Sequence, residues 1–461
     1  MARKKKRVKE NIEEIIEEEK NNVTSNMDAI ADSLYDFVYS EIYSKMVNTY
    51  EPVYISTGVR TLDALLGGGF VTGMVSALTS PPETGKSTIS LQVAARLLKE
   101  HPEAIVIYLD VENPPLINKS LNDYLVIKRL AQFGININDP KYRKRFIYLP
   151  GIKLLSKIYD VISEILKRKT ETEKANNKEP IPALLIWDSL AESIPDEVYI
   201  YLKENKELIK QKGVKAYTLQ EYLSAIVYEC EQTNTGLILL DQVRANIQIS
   251  PRGASSKTTV QHKDLKTATS AKAIEHKGRQ WLFMEKGEEI IHKYPGIMGW
   301  ILKISLDKSK LTPASGLTIE VVFDKLTGLN SFWSHYHFLS NRMPYENKLL
   351  NKTDVPAQIR KLYEESAPLP IQGNKISHPK IPDIQYSFRS KADIYKKYLE
   401  DEEFRKYFDK VLEISIKERI DSWLNPNSEF YSKMKELGIV KSSENNELIN
   451  STAEPDSDDN R

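Results

Sequence analysis

The stretch SPPETGKST, residues 80–88, constrains this chain more than any other. It follows an apolar run at 74–78 and opens a helix-like segment at 89–98. A strand, a glycine-containing loop and a helix, in that order, make a phosphate-binding loop, and the order gives the short motif its meaning. Backbone N–H groups of the loop and the helix N-terminus offer a positive concavity to a polyphosphate. In this reading Ser80, Pro81, Pro82, Glu83, Thr84, Gly85, Lys86, Ser87 and Thr88 wrap a nucleoside triphosphate. Lys86 reaches the β- and γ-phosphates, and the Ser87 hydroxyl sits on Mg²⁺. Ser80 stands where the pattern wants glycine, which predicts a sterically tighter first turn.

Three later runs are almost wholly apolar and end in aspartate: AIVIYLD (104–110), ALLIWD (183–188) and GLILLD (236–241). Such runs read as buried parallel strands presenting carboxylates at their carboxyl ends. Residues 281–285, 300–306 and 317–323 read as strands extending the same sheet. Helical stretches alternate with these runs. Residues 51–334 therefore read as an α/β core, a mostly parallel sheet flanked by helices. A strand-end carboxylate often only caps, but Asp188, downstream of a phosphate loop, suits Mg²⁺ opposite Ser87.

The segment before the loop, ISTGVRTLDALLGGG (55–69), resembles the lead-in to the nucleotide loop of the RecA recombinases, including the UvsX-type enzymes of tailed phages. The loop, Glu112 in YLDVENPP, Asp188, and Gln242 to Arg244 in LLDQVR occur in family order, and the resemblance covers residues 51 to about 330. It implies a RecA-like ATPase core that uses ATP and Mg²⁺. It implies that Glu112 activates the attacking water; by chemistry alone Asp110 is the rival. It implies that Gln242 senses the γ-phosphate, an amide being able to donate and accept. It implies that Lys308 and Lys310, in SLDKSKLTPAS, reach a neighbouring subunit's ATP, although solvated edge lysines are the other reading.

Residues 244–279 hold eight bases against Asp264 and Glu275, where a RecA protein carries its second DNA-binding loop. The resemblance assigns DNA contacts there to Arg244, Arg252, Lys257, Lys263, Lys266 and Lys272, with Ile247 as the apolar wedge between base triplets. Such a surface tracks phosphates with a grip that falls with salt. Residues 244–272 contain no Phe, Tyr or Trp, and the family's paired glycines are missing. A first loop is expected around 193–215.

Over 461 residues, 65 Lys and Arg nearly balance 64 Asp and Glu, so charge informs only through its distribution. Residues 3–9 hold six bases, and residues 443–461 hold six acids and one base. Both blocks read as solvated tails, the second either a competitor for the DNA loop or a bystander. An amphipathic stripe of Met27, Ile30, Leu34, Phe37 and Val38 needs a surface, on its own core or on a neighbour. The single cysteine, Cys230, excludes an internal disulfide. The proline-rich stretch 368–382 reads as a linker or extended pass, and 391–423 as helical, its EDEEFRKYFDKVLEI resembling a helix of the UvsX-type C-terminal domain.

The expected organisation is an N-terminal helical arm for oligomerisation (1–50), the ATPase core with DNA-binding loops (51–334), a small C-terminal domain (335–442) and an acidic tail (443–461). No signal peptide, long apolar span or lipidation motif stands out, so the expectation is a cytoplasmic protein without membrane partners, phage origin being open. The resemblance implies a DNA-dependent ATPase of recombination, repair and replication. It would bind single- and double-stranded DNA, self-associate into a helical filament and exchange strands, with a recombination mediator and a single-strand-binding protein as partners. A RecA-like ring helicase and a nucleotide-switched scaffold are the alternatives.

Overall fold

A computed structural model describes residues 30–37, 50–114, 124–203, 212–243, 277–290, 292–341, 369–421 and 432. The chain divides into two compact units, residues 1–51 and 52–461. In the first, residues 30–37 are helical and Ile30, Leu34 and Phe37 are exposed; Met27 and Val38 lie outside the described residues.

The second unit opens with a short antiparallel pair, β1 (Tyr54–Ile55) and β2 (Phe70–Val71), which encloses the helix α1 (Arg60–Leu66). Its main sheet has, among the described residues, nine strands. β3 (Val75–Ser80), β4 (Ile105–Asp110), β5 (Phe146–Pro150), β6 (Ala183–Asp188), β7 (Thr235–Gln242) and β8 (Gln280–Ile290) are joined by parallel pairings. β9 (Gly299–Ser309), β10 (Thr318–Asp324) and β11 (Gly328–Leu329) add antiparallel pairs at one side, giving the order β11-β10-β9-β8-β3-β7-β6-β4-β5.

The period-two alternation of the strands explains their unbroken apolar character. Val106 and Tyr108 of β4 with Leu184 and Ile186 of β6 pack under the helix α2 (Lys86–Glu100). Ile107, Leu109, Leu185 and Trp187 face the other way, onto α3 (Leu155–Ala175) and α4 (Lys212–Gln232). Both faces are covered, so side chains of either parity in β4 and β6 are apolar up to the terminal aspartates.

The lead-in is a built turn. Asp63 accepts from the Ser56 hydroxyl at 2.6 Å, the Thr57 N–H at 2.7 Å and the Thr57 hydroxyl at 2.6 Å. Gly67, Gly68 and Gly69 all have positive φ, and a Cβ on Gly69 would lie 2.3 Å from the Ile55 carbonyl oxygen. Gln280 of β8 donates to the carbonyls of Leu66 (2.9 Å) and Gly69 (3.1 Å) and accepts from Ser76 (2.8 Å), tying the turn to the sheet.

Two C-terminal expectations change. The stretch 368–382, read as a linker or an extended pass, is extended and paired, entering a three-stranded antiparallel sheet of β12 (Ile371–Gln372), β13 (Lys375–His378) and β14 (Ile381–Ser387). Pro382 is tolerated because β14 is an edge strand with no partner needing its N–H. The helical stretch breaks at Asp401, which caps the second of two helices, Lys391–Glu400 and Glu402–Ile416, by accepting from the Phe404 N–H at 2.9 Å. The helix Ser331–Ser340, across the expected boundary at 334/335, sends Phe332 against Phe408 and Trp333 against Tyr395, with ring centroids 5.4 Å apart in each pair. One apolar core thus runs from the sheet into the C-terminal helices.

Candidate active site

The site lies at the carboxyl edge of the parallel strands. β3 ends at Ser80, β4 at Asp110, β6 at Asp188 and β7 at Gln242, and the register pairs Ser80 with Gln242 and Asp110 with Asp188. Parallel pairing in register therefore gathers four polar strand ends that are far apart in sequence.

In the phosphate loop the positive φ values belong to Glu83 (57°) and Gly85 (113°), and Ser80 is ordinary extended strand. The tighter turn expected from serine at position 80 does not arise, because that position needs no left-handed backbone. Instead the Ser80 hydroxyl donates to the Pro81 carbonyl and accepts from Lys86 Nζ, both at 2.9 Å. Lys86 also donates to the carbonyls of Ser80 and Pro81, each at 3.1 Å. Burial pulls the Lys86 amine below its ordinary range, while Asp188, Asp241 and Glu112 push it back up. Gly85 is required twice over: its φ is positive, and a Cβ would meet the Phe323 ring at 2.6 Å.

Asp188 is buried, and burial pushes its carboxyl up to about 6, against hydrogen bonds from Tyr108 and Ser87 that favour the charged form. The Tyr108 hydroxyl donates to Asp188 Oδ2 at 2.5 Å. Glu112 is exposed, and its Oε1 accepts from Gln242 Nε2 and from the Ser189 hydroxyl, both at 2.8 Å. Asp110 has different work. It is buried, accepting from the Asn113 N–H (2.9 Å), the Asn113 amide (2.8 Å) and the Tyr148 hydroxyl (2.6 Å). A carboxylate filled by three donors organises the turn after β4 and has little left for a water. This arrangement, an ammonium in a loop beside a buried carboxylate and an exposed carboxylate bonded to a strand-end amide, can hold a polyphosphate and place a base near its end.

Protein RecA of Xylella fastidiosa (strain M12) is 25% identical to this chain over 261 residues, which are 56% of this chain and 62% of that protein. DNA repair and recombination protein RadB of Thermococcus gammatolerans is 41% identical over 58 residues, 13% of this chain and 24% of RadB. Its counterpart in Thermococcus kodakarensis is 40% identical over 58 residues, again 13% of this chain and 24% of that protein. The homology to RecA and RadB is weak. It accompanies an α/β fold with a large, mostly parallel central sheet of RecA-like character. No protein-family model matches the chain. The chain spans less than two thirds of the length of these relatives.

Lys308 and Lys310 are not brought to this site. Lys308 pairs with Trp281, level with Ala77, and the Lys310 N–H donates to Arg279, whose own N–H donates to Val75. Lys308 is level with the middle of β3 and Lys310 with its start, whereas the loop follows its end at Ser80, so at ~3.3 Å per residue they lie about 10 and 17 Å short of it along the strand. A lysine side chain does not bridge either distance within one chain. Arg244, Ile247, Arg252, Lys257, Lys263, Lys266 and Lys272 lie outside the described residues, as do both charged termini and part of the expected first loop.

Tyr108 and Ser189 are site residues that sequence reasoning passed over. Tyr108 sits in an apolar strand and reads as core. The usable signal is chemical: a buried tyrosine must place its hydroxyl on a partner, and here the partner is the carboxylate at the next strand's end.

Proposed function

We propose that this chain is an ATP-dependent recombination protein of UvsX-like character that polymerises on single-stranded DNA and pairs it with homologous duplex. The observation that carries the proposal is the Glu112–Gln242 hydrogen bond, because Gln242 leads directly into the basic segment 244–279. A group that touches both the catalytic carboxylate and the DNA-binding segment can make turnover depend on DNA.

Each residue has a derivable task. The loop N–H groups and Lys86 hold the phosphates. Glu112 orients or deprotonates the attacking water, and Gln242 holds the Glu112 carboxylate through its amide. Ser87 and Asp188 would hold Mg²⁺, which when bound supplies positive charge to the phosphate oxygens. They fit that ion: Asp188 is a carboxyl pushed up to about 6 by burial, a cost that an adjacent cation relieves, and Ser87 is within its hydrogen-bonding reach. Among the described residues no three His, Cys, Asp or Glu gather into an all-protein cage, as suits Mg²⁺ shared with phosphates. Lys308 and Lys310 act on the nucleotide of the adjacent subunit, since their own loop lies further along the strands than a lysine reaches. ATP binding favours assembly, and hydrolysis releases DNA.

Steady-state ATP hydrolysis with and without single-stranded DNA tests the proposal. The expected result is turnover that rises with DNA in the wild type and loses that response in Gln242→Ala. Turnover indifferent to DNA contradicts it.

A further inference from the structure

The sequence KYRKR at 141–145 carries four cations in five residues and belongs to none of the machinery above. Its backbone is rigidly held. The ring of Tyr142 is buried, and Arg145 donates to the carbonyls of Lys141 (2.8 Å), Leu98 (3.0 Å), His101 (3.1 Å) and Ala104 (3.3 Å). Arg145 is thereby spent on the C-terminal turn of α2. Lys141, Arg143 and Lys144 are exposed, and the exposed Lys99 stands on that same turn.

Nearby carboxylates are engaged elsewhere. Glu100 pairs with Arg96 at 3.2 Å, Glu103 with Lys178 at 2.8 Å, and Asp139 caps the short helix Pro140–Arg143 by accepting from the Lys141 N–H at 2.9 Å. Among the described residues no carboxylate forms an ion pair with Lys99, Lys141, Arg143 or Lys144. A chain whose charges otherwise nearly cancel thus concentrates uncompensated cations on one preorganised turn. The turn precedes β5, the outermost strand of its side, and the Val106 N–H donates to the Arg145 carbonyl. It therefore lies at the amino edge of the parallel strands, opposite the phosphate loop and the end of β7.

We infer that this turn is a contact surface for the phosphate backbone of duplex nucleic acid. Exposed cations on a held backbone turn, without a base-reading side chain, contact phosphates and carry no sequence preference. The one aromatic in the turn, Tyr142, is buried, so unpaired bases have no stacking platform and a duplex fits better than a single strand. This rests on the recombination reading only for its biological sense; the binding itself needs no nucleotide.

The test is duplex binding by the full chain without nucleotide, followed by fluorescence anisotropy across a salt series. The triple variant Lys141→Ala, Arg143→Ala, Lys144→Ala should weaken binding at least tenfold at low salt. The plot of log affinity against log salt should also flatten, by about 0.9 for every phosphate the turn no longer neutralises. Unchanged affinity and slope overturn the inference. So does a defect that vanishes when residues 443–461 are removed, since the surface would then serve the acidic tail. ATP turnover of the same variant is read separately: an inactive wild type defeats the recombination reading but leaves the duplex measurement decisive for this surface.

Discussion

One residue, Val111, separates Asp110 from Glu112, and the surroundings of the two carboxylates differ. Asp110 is filled by donors from Asn113 and Tyr148, whereas Glu112 is exposed and tethered by Gln242 and Ser189. Glu112→Gln should keep ATP binding and slow turnover roughly 10²–10⁴-fold, the usual effect of losing a general base. Lys86→Ala should instead abolish nucleotide binding in equilibrium dialysis, because the phosphates lose their principal side-chain cation. Normal turnover in the first variant, or retained binding in the second, would reverse these assignments. His335 gives a stability prediction. Burial lowers its pKa from 6.5 to about 3, and its Nε2 accepts the Arg60 N–H that opens α1 at 3.0 Å. A folded-state value below the unfolded one gives stability that is complete above about pH 6.5 and lost as pH falls toward 3. The slope approaches about 1.4 kcal/mol per pH unit. Urea titrations of His335→Gln should show a shallower acid decline than wild type; parallel declines would mean the ring is charged in the folded state. At this scale the approach of Lys86 to Asp188 was legible because their motifs stand at the ends of apolar runs. Tyr108 was not, because its role depends on which carboxylate the sheet register sets beside it.

Among the elements, the glycine turn before β2 is tightly constrained. Gly69→Ala puts a methyl group against the Ile55 carbonyl at positive φ, and Gln280→Ala strands two carbonyls and the Ser76 hydroxyl. Each group left buried without a partner costs about 1–3 kcal/mol. Both variants should lower the urea midpoint, and wild-type midpoints would mean the turn can relax independently of the sheet. The strands themselves were readable because apolar runs covered on both faces leave little alternative. The C-terminal strands were not, since short edge strands tolerate the prolines that sequence reasoning takes for linkers. Similarly, 391–423 is helical as its pattern suggests over the described residues, but the break at Asp401 depends on a capping hydrogen bond that periodicity does not display.

For the whole molecule, the sheet sets Lys308 and Lys310 well short of the phosphate loop along the strands, so the proposed use of them calls for a second copy. A Lys308→Ala, Lys310→Ala subunit and a Lys86→Ala subunit should each be inactive alone and regain part of the DNA-stimulated turnover when mixed. In the mixture, an intact loop meets intact lysines across one kind of junction. No recovery would leave the lysines as edge charges. Self-association also underlies the central claim, and it has a direct reading. Negative-stain electron microscopy of the full chain with single-stranded DNA and a non-hydrolysable ATP analogue should show helical filaments that fail to form with Lys86→Ala. Closed rings or isolated subunits under the same conditions would contradict the account.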